Sequence, residues 1–146
     1  MNVDASIFRA YDIRGVVATA LRPEVVQLIG KALGTLYPKC RQVAVGRDGR
    51  LSSKELSENL IAGLCSTGVD VIDIGEVPTP VLYYATHALN TGSGVMVTGS
   101  HNPPEYNGIK MVMAEKTLYG DMIQSIYNCI QQNDFLDGSG KLETKN

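Results

Sequence analysis

The chain has 146 residues, of which 44% are hydrophobic and 19% charged, and its formal net charge is −2 at pH 7. This length suits one domain with its own core, and the composition is that of a globular protein rather than a disordered or membrane-embedded one. Because lysine and arginine form no long cluster that could follow a phosphate backbone, we do not expect nucleic acid as a partner. No stretch approaches the roughly 20 apolar residues of a membrane span, so we expect no membrane partner.

We expect a reduced protein in the cytoplasm. Cys40, Cys65 and Cys129 are odd in number and far apart, and no C-x-x-C pair is present. This spacing argues against a disulfide framework or a zinc site. The segment Met1–Asp4 also lacks the basic region and the apolar run of a signal peptide.

Strand and helix patterns alternate along the chain. A short strand is predicted over 8–13, and Pro23 suits the first turn of a helix that an apolar stripe carries to Leu36. Short apolar or β-branched runs predict the remaining strands. These strands are expected over 42–45, 69–74, 94–98 and 108–113.

Capping residues indicate where two further helices begin. Ser52 and Glu55 form a capping-box pattern, and the helix that follows is expected to end at Gly68. Thr79 and Pro80 suit the N-cap and the first helical position of another helix, which runs to about residue 89.

The alternation predicts an α/β fold, a three-layer α/β/α arrangement around a mixed, mostly parallel sheet. The link from strand 94–98 to strand 108–113 has no room for a crossover helix, and Asn107-Gly108 is a turn signal, so these strands should be antiparallel neighbours. A last helix near 122–130 completes a domain over 1–136. The polar segment 137–146 is typical of an interdomain linker or tail.

The segment Thr98–Lys110, TGSHNPPEYNGIK, has the most informative chemistry. It starts where a buried strand ends, which is a common place for a ligand site in an α/β sheet. It offers a hydroxyl at Ser100, an imidazole at His101, an amide at Asn102 and a cation at Lys110. A serine hydroxyl can accept a phosphoryl group and return it if nearby groups manage charge and protons.

Two other interpretations of this segment remain open at this point. It could be a surface loop in which serine and asparagine cap backbone groups. It could also belong to a Ser-His hydrolase, which needs a third orienting group and an oxyanion hole. The G-x-S-x-G pattern is absent, because Asn102 stands at the final glycine position.

Four segments resemble the α-D-phosphohexomutase superfamily. TGSHNPPEYNGIK is similar to its phosphoserine loop, T-[AG]-S-H-N-P followed by N-G-[IFY]-K. FRAYDIRG at 8–15 resembles the N-terminal signature of the phosphomannomutase/phosphoglucomutase branch, and GRDGR at 46–50 and PTP at 78–80 resemble two further elements. The four occur in the family's order and cover nearly the whole chain.

The resemblance implies a role for each residue of the loop. Ser100 would carry the phosphoryl group, and through that phosphate it would be a metal ligand. His101 would lie near the transferring group, and Asn102 would help to shape the loop on the substrate side. Lys110 would assist proton transfer or charge balance.

Residues outside the loop are also implicated by the resemblance. Tyr11 and Arg14 would face the active-site cleft, with Arg14 approaching a phosphate. The alternatives are a core aromatic for Tyr11 and a salt bridge to Asp12 for Arg14. Arg47 and Asp48 are expected to be a structural pair near the cleft.

The resemblance also implies parts that this sequence does not contain. Family members have four domains, and a Mg²⁺ ion lies between the phosphoserine and a D-x-D-x-D loop of the second domain. No such triplet occurs here, and the sugar-reading loop G-E-x-S-G-H is absent too. We therefore expect a fragment that is inactive alone and works with the remaining domains of the same polypeptide.

The implied reaction interconverts hexose 1-phosphate and hexose 6-phosphate through a phosphoserine and a hexose 1,6-bisphosphate, which is also the expected activator. One alternative is a phosphoglucosamine mutase domain. That branch typically has F-G-T-[DS]-G-[IV]-R-G near its N-terminus and alanine before the serine, so FRAYDIRG and Gly99 favour the phosphomannomutase/phosphoglucomutase branch. The other alternative is a free-standing, non-catalytic phosphate-binding domain.

Overall fold

The structure is a computed structural model that describes residues 2–145. A short 3-10 turn at Ala5–Ile7 precedes the regular elements. In chain order these are β1 Ile13–Val16, α1 Pro23–Leu36, β2 Gln42–Arg47, α2 Ser53–Ser66, β3 Asp70–Glu76, α3 Thr79–Ala88, β4 Gly94–Val97, β5 Tyr106–Met113, β6 Lys116–Thr117, α4 Asp121–Gln132 and β7 Leu142–Thr144.

The strands form one mixed sheet in the order β1-β5-β4-β2-β3-β7, and β6 pairs with β5. β4, β2, β3 and β7 pair in parallel, whereas β5 is antiparallel to β1, β4 and β6. Among the strands of residues 2–145, β5 therefore runs against the shared direction of the others. The predicted α/β class with a mixed, mostly parallel sheet is confirmed, as is the antiparallel pairing of the fourth and fifth predicted strands.

Helices cover both faces of this sheet. Alternate strand residues such as Val43 and Val45 join the apolar faces of α1, α2 and α4 in the larger core. The intervening residues, such as Ala44 and Met96, join Leu82 of α3 in a smaller core on the opposite face. Because β4 lies in the middle of the sheet, all four of its residues are buried, which explains its continuous apolar run.

Helices α1 and α2 cross closely because each has a glycine at the contact. A Cβ atom on Gly30 would overlap the carbonyl oxygen of Leu60, and one on Gly63 would overlap that of Gln27. The overlapped atoms belong to the backbone, so a rotamer change cannot relieve the clash. No helix of residues 2–145 is both long enough and apolar enough to cross a membrane.

The first predicted strand is mostly a turn. Arg9 donates its backbone N–H to the carbonyl of Asp12 at 3.0 Å, so the chain folds back between them. Phe8 retains an isolated bridge to Ile13, where β1 begins, and its ring packs 5.2 Å from that of Tyr127. The predicted strand over 8–13 is therefore wrong, because local hydrogen bonds occupy backbone groups that a strand would use.

Three capping and turn predictions are also wrong. Ser52 is the N-cap of α2, but it has a helical conformation and its side chain makes no capping hydrogen bond. Thr79 is already helical, and Pro78 is the N-cap. The dipeptide Asn107-Gly108 lies inside β5 rather than in a turn, and Asn107 is fully buried.

The polar segment 137–146 contains a strand that the sequence did not predict. Leu142–Thr144 pairs in parallel with Val71–Asp73 and forms an edge of the sheet. All three residues of β7 are exposed. The strand lacks an apolar face, and its backbone pairing attaches it to the domain. Whether the segment also leads to a second domain stays a prediction.

Candidate functional site

The loop between β4 and β5 presents Ser100 at the carboxyl edge of the sheet. Ser100 is exposed and has a φ of +52°, a left-handed conformation that is uncommon for a residue with a side chain. Its backbone N–H donates to the hydroxyl of Thr98 at 3.0 Å. A strained residue held by its surroundings at a strand end is a feature of functional sites.

Asp48, just beyond the end of β2, holds the start of this loop. One oxygen of its carboxylate accepts hydrogen bonds from Thr98 Oγ1 at 2.9 Å and from Gly99 N–H at 3.0 Å. The other accepts from Arg50 N–H at 3.1 Å and from Ser53 Oγ. Burial raises the pKa of Asp48, but the four hydrogen bonds outweigh burial, so this pKa lies below its ordinary value. The carboxylate is a fixed anion under the loop.

Arg50 holds the rest of the loop because its guanidinium donates hydrogen bonds to backbone carbonyls of the loop. Its Nη1 donates to the carbonyls of Pro103 at 2.7 Å and Tyr106 at 3.1 Å. Its Nη2 donates to those of Ser100 at 3.0 Å and Asn102 at 2.7 Å. The Nε atom lies 3.4 Å from Asp48 Oδ2. A planar guanidinium with five N–H groups in a fixed fork is suited to such a set of acceptors.

Two asparagines complete the support of the loop. Asn102 Nδ2 donates to the carbonyl of Gly99 at 2.8 Å, so this side chain links two residues of the loop. Asn107, buried in β5, donates to the hydroxyls of Ser52 and Ser53, each at 2.9 Å. Because Ser53 also bonds to Asp48, a continuous polar network joins β5, α2 and β2 beneath Ser100. A network with its partners satisfied rigidifies what it supports.

Lys110 and Arg14 lie on one face of the sheet. Lys110 is paired across the sheet with Met96 of β4, and Arg14 is paired with Gly108. Because successive side chains of a strand lie on opposite faces, both side chains lie on the face opposite Ile109 and the larger core. On this face α3 packs on β2 and β4, at a distance from the β1 edge. Lys110 is half-buried, and the Arg14 side chain is 34% exposed.

Two residues of the FRAYDIRG segment and His101 have defined surroundings in the structure. Arg14 Nη2 lies 2.9 Å from Asp12 Oδ2, so the salt bridge to Asp12 is present. Tyr11 is 79% exposed in the turn before β1, so a core position for this aromatic ring is wrong. His101 is exposed beside Ser100. The described contacts do not join Tyr11 to the loop.

Arg47 and Asp48 do not pair with each other. Arg47 Nη1 lies 3.7 Å from Asp73 Oδ1 on β3, whereas Asp48 and Arg50 hold the serine loop. Sequence reasoning therefore missed Asp48 and Arg50 as loop supports. The sequence feature that could have indicated this role is the position of GRDGR at the carboxyl end of a strand. That position brings Asp48 and Arg50 to the serine loop only because β2 and β4 are parallel neighbours, which the sequence did not specify.

No cluster of three or more His, Cys, Asp or Glu that could hold a metal occurs within residues 2–145. The chemistry available at the loop is an exposed hydroxyl, an adjacent imidazole and cations on the neighbouring sheet face. The structure thus defines the class of the domain: an α/β/α domain that displays a hydroxyl on a braced loop at the carboxyl edge of its sheet, where ligand sites in such folds usually lie.

Comparison with known proteins agrees with this class. A family model described as phosphoglucomutase/phosphomannomutase, alpha/beta/alpha domain I, matches residues 5–137. The chain belongs to this family. A phosphomannomutase/phosphoglucomutase of Pseudomonas aeruginosa is 55% identical over 144 residues, which are 97% of this chain and 31% of the relative. A phosphoglucomutase of Neisseria meningitidis is 45% identical over 136 residues, 92% of this chain and 30% of that protein.

A solved structure of a phosphoglucomutase/phosphomannomutase family protein from Burkholderia thailandensis superimposes with a TM-score of 0.94 at 46% identity. The match covers 99% of this chain and 34% of that chain. The chain thus spans about a third of the length of these proteins.

Proposed function

We propose that this chain is the N-terminal domain of a phosphomannomutase/phosphoglucomutase and that Ser100 is its phosphoserine. The longer polypeptide interconverts hexose 1-phosphate and hexose 6-phosphate. The phosphoserine gives its phosphoryl group to the substrate, a hexose 1,6-bisphosphate forms, and the serine takes back the other phosphoryl group.

The placement of Ser100 is the observation that carries this proposal. Its side chain is exposed, whereas the backbone around it is fixed by Asp48, Arg50 and Thr98. Phosphoryl transfer depends mostly on positioning and on neutralisation of the phosphate oxygens, so a rigid loop with an accessible hydroxyl suits it. The similarity to phosphomannomutase/phosphoglucomutase and phosphoglucomutase proteins supports the mannose and glucose branch over phosphoglucosamine mutase.

Neighbouring side chains supply the charge and proton chemistry. Lys110 lies on the sheet face beside the loop, where a cation can offset the charge of a phosphate or exchange a proton. His101 follows Ser100 directly and has a ring accessible to a substrate. Arg14 lies at the β1 edge of the same face, and Tyr11 is exposed in the turn before β1. Both would contact substrate in the cleft.

A divalent cation, Mg²⁺ in this proposal, would be held in part by the phosphate on Ser100. A hard cation prefers several oxygen ligands, and phosphate oxygens are suitable donors. The phosphate on Ser100 would provide one oxygen ligand, and the other ligands of the ion would come from the remaining domains. When bound, the ion would neutralise charge on the phosphoryl group. Hexose 1,6-bisphosphate would be the activator, because it can phosphorylate a serine that has lost its phosphoryl group.

We place the protein in the cytoplasm. Cys40, Cys65 and Cys129 are free thiols, which supports a reducing compartment.

Phosphopeptide mapping of the full-length polypeptide tests the proposal. After incubation with glucose 1,6-bisphosphate, the phosphate should map to Ser100. Ser100→Ala should remove this phosphopeptide and reduce turnover of glucose 1-phosphate and mannose 1-phosphate to the assay background. Ser125→Ala, on the exposed side of α4, is the matched control and should leave both unchanged.

Four results would contradict the proposal or its branch. Phosphate on another residue, or full activity of Ser100→Ala, would exclude Ser100 as the carrier. Preferential turnover of glucosamine 1-phosphate would assign the chain to the phosphoglucosamine branch. Binding of hexose phosphates without turnover by the wild-type polypeptide would indicate a non-catalytic binding protein.

A further inference from the structure

Arg50 is placed to control one peptide plane beside the phosphate carrier. Its Nη2 donates to the carbonyl of Ser100 at 3.0 Å. No cis peptide bond occurs among the described residues, and in a trans peptide the carbonyl of one residue and the N–H of the next point in opposite directions. The N–H of His101 therefore points away from the guanidinium.

The N–H of His101 donates to no partner within residues 2–145, whereas its neighbours are engaged. Ser100 N–H donates to Thr98 Oγ1, and Asn102 N–H donates to the carbonyl of Gly99. Pro103 and Pro104 have no N–H at all. In the segment from Ser100 to Pro104, the N–H of His101 is thus the backbone donor left for a phosphate on the serine.

Arg50 also strengthens this donor. A cation that bonds to a carbonyl polarises the amide, and in a chain of hydrogen bonds each bond reinforces the next. The same guanidinium also bonds to three further carbonyls and lies beside Asp48 Oδ2, so several contacts fix its position at once. Preorganised backbone donors aimed at a charged group are an efficient means of stabilisation.

We propose that Arg50 is a positioning residue that orients the Ser100–His101 peptide plane, so that the N–H of His101 donates to the phosphate on Ser100. This inference rests on the proposed function, since it requires the phosphoserine. Arg50 itself does not touch the phosphate; it acts through the peptide group. Lysine cannot replace it, because a single ammonium with three donors cannot span carbonyls spread from residue 100 to residue 106.

The test uses the full-length polypeptide labelled with [¹⁵N]histidine and follows the NMR chemical shift of the backbone amide proton of His101. Phosphorylation by glucose 1,6-bisphosphate, followed by removal of divalent cations with a chelator, should move this amide proton downfield in the wild type. Arg50→Lys should reduce that change in chemical shift and lower kcat roughly tenfold or more with little change in KM. The substitution would misorient the Ser100–His101 peptide, which affects the transferring phosphate rather than the binding of substrate.

Arg41→Lys is the matched control. Arg41 also donates from its guanidinium to two backbone carbonyls, those of Pro38 and Gly68, but it lies at the opposite end of β2. This variant should retain the wild-type amide shift and the wild-type kcat. A thermal melt of each variant checks that the fold is intact.

The outcomes separate the inference from the function on which it rests. Absence of phosphate on Ser100 in the wild type overturns the proposed function. The role of Arg50 alone is overturned if phosphorylation leaves the chemical shift of the His101 amide proton unchanged. It is also overturned if Arg50→Lys has the wild-type shift and the wild-type kcat. If Arg50→Lys does not fold, the wild-type amide measurement still decides whether this N–H meets the phosphate, and Arg50→Gln repeats the kinetic comparison.

Discussion

Asp48→Asn should destabilise the domain because four donors depend on one carboxylate. Asparagine retains one oxygen acceptor but places an NH₂ group where the other oxygen accepts hydrogen bonds. Depending on its orientation, either the pair Thr98 and Gly99 or the pair Arg50 N–H and Ser53 loses its acceptor. The Arg50 guanidinium also loses its anionic neighbour.

The size of the effect follows from these lost bonds. A hydrogen bond to a charged group contributes about 1.5–3 kcal/mol net, so two such bonds, partly replaced by water, suggest a loss of about 2–4 kcal/mol in the free energy of unfolding. For a chain of this length, that loss corresponds to a fall of roughly 5–15 °C in Tm. Urea unfolding and thermal melts followed by circular dichroism provide both quantities.

The effect should depend on pH in a defined direction. The pKa of Asp48 lies below its ordinary value of 3.8, so the folded state favours the carboxylate and binds fewer protons than the unfolded state. Its contribution is therefore complete above the unfolded pKa and is lost as the pH falls through the folded pKa. The difference between wild type and Asp48→Asn should be constant near neutral pH and should narrow below about pH 4.

Asp70→Asn is the control for this measurement. Asp70 Oδ1 accepts one hydrogen bond, from Lys141 N–H at 2.9 Å, and an asparagine oxygen can accept the same bond. A stability change for Asp48→Asn no larger than that of Asp70→Asn would refute the reasoning. A difference that grows rather than narrows in acid would refute the sign of the pKa shift.

Three further predictions concern packing, catalysis and completeness. Gly63→Ala should lower the free energy of unfolding by about 1–3 kcal/mol or more in urea melts, because its Cβ meets the backbone carbonyl of Gln27 at the crossing of α1 and α2; a wild-type midpoint would contradict this. Lys110→Met in the full-length polypeptide should lower kcat and leave Tm nearly unchanged, because the lysine is only half-buried; unchanged kcat and kcat/KM would exclude its role. The 146-residue chain alone should melt cooperatively and show no turnover of glucose 1-phosphate or mannose 1-phosphate in a coupled assay, because within residues 2–145 no carboxylate cluster can hold a metal; metal-dependent turnover would contradict it.

The sequence by itself determined the class of fold and the position of the candidate carrier. Apolar runs and stripes identify the helices and most strands because burial of one face imposes a period on the chain. The helix α1 begins at Pro23 as predicted, and β4 is the fully buried strand that its composition indicates. Ser100 was identified from contiguous residues, since a long local motif carries its meaning without the rest of the fold.

Only the tertiary structure decided how that serine is supported. Arg50 is about fifty residues away in sequence from the carbonyls it holds, and Asn107 is separated in sequence by a similar number of residues from the serines whose hydroxyls it contacts. Such contacts arise from the order of strands in the sheet, and strand order depends on long-range pairing that local periodicity does not encode. The same reason explains β7, whose three exposed residues are attached to the sheet through backbone pairing and form no apolar pattern that would predict a strand.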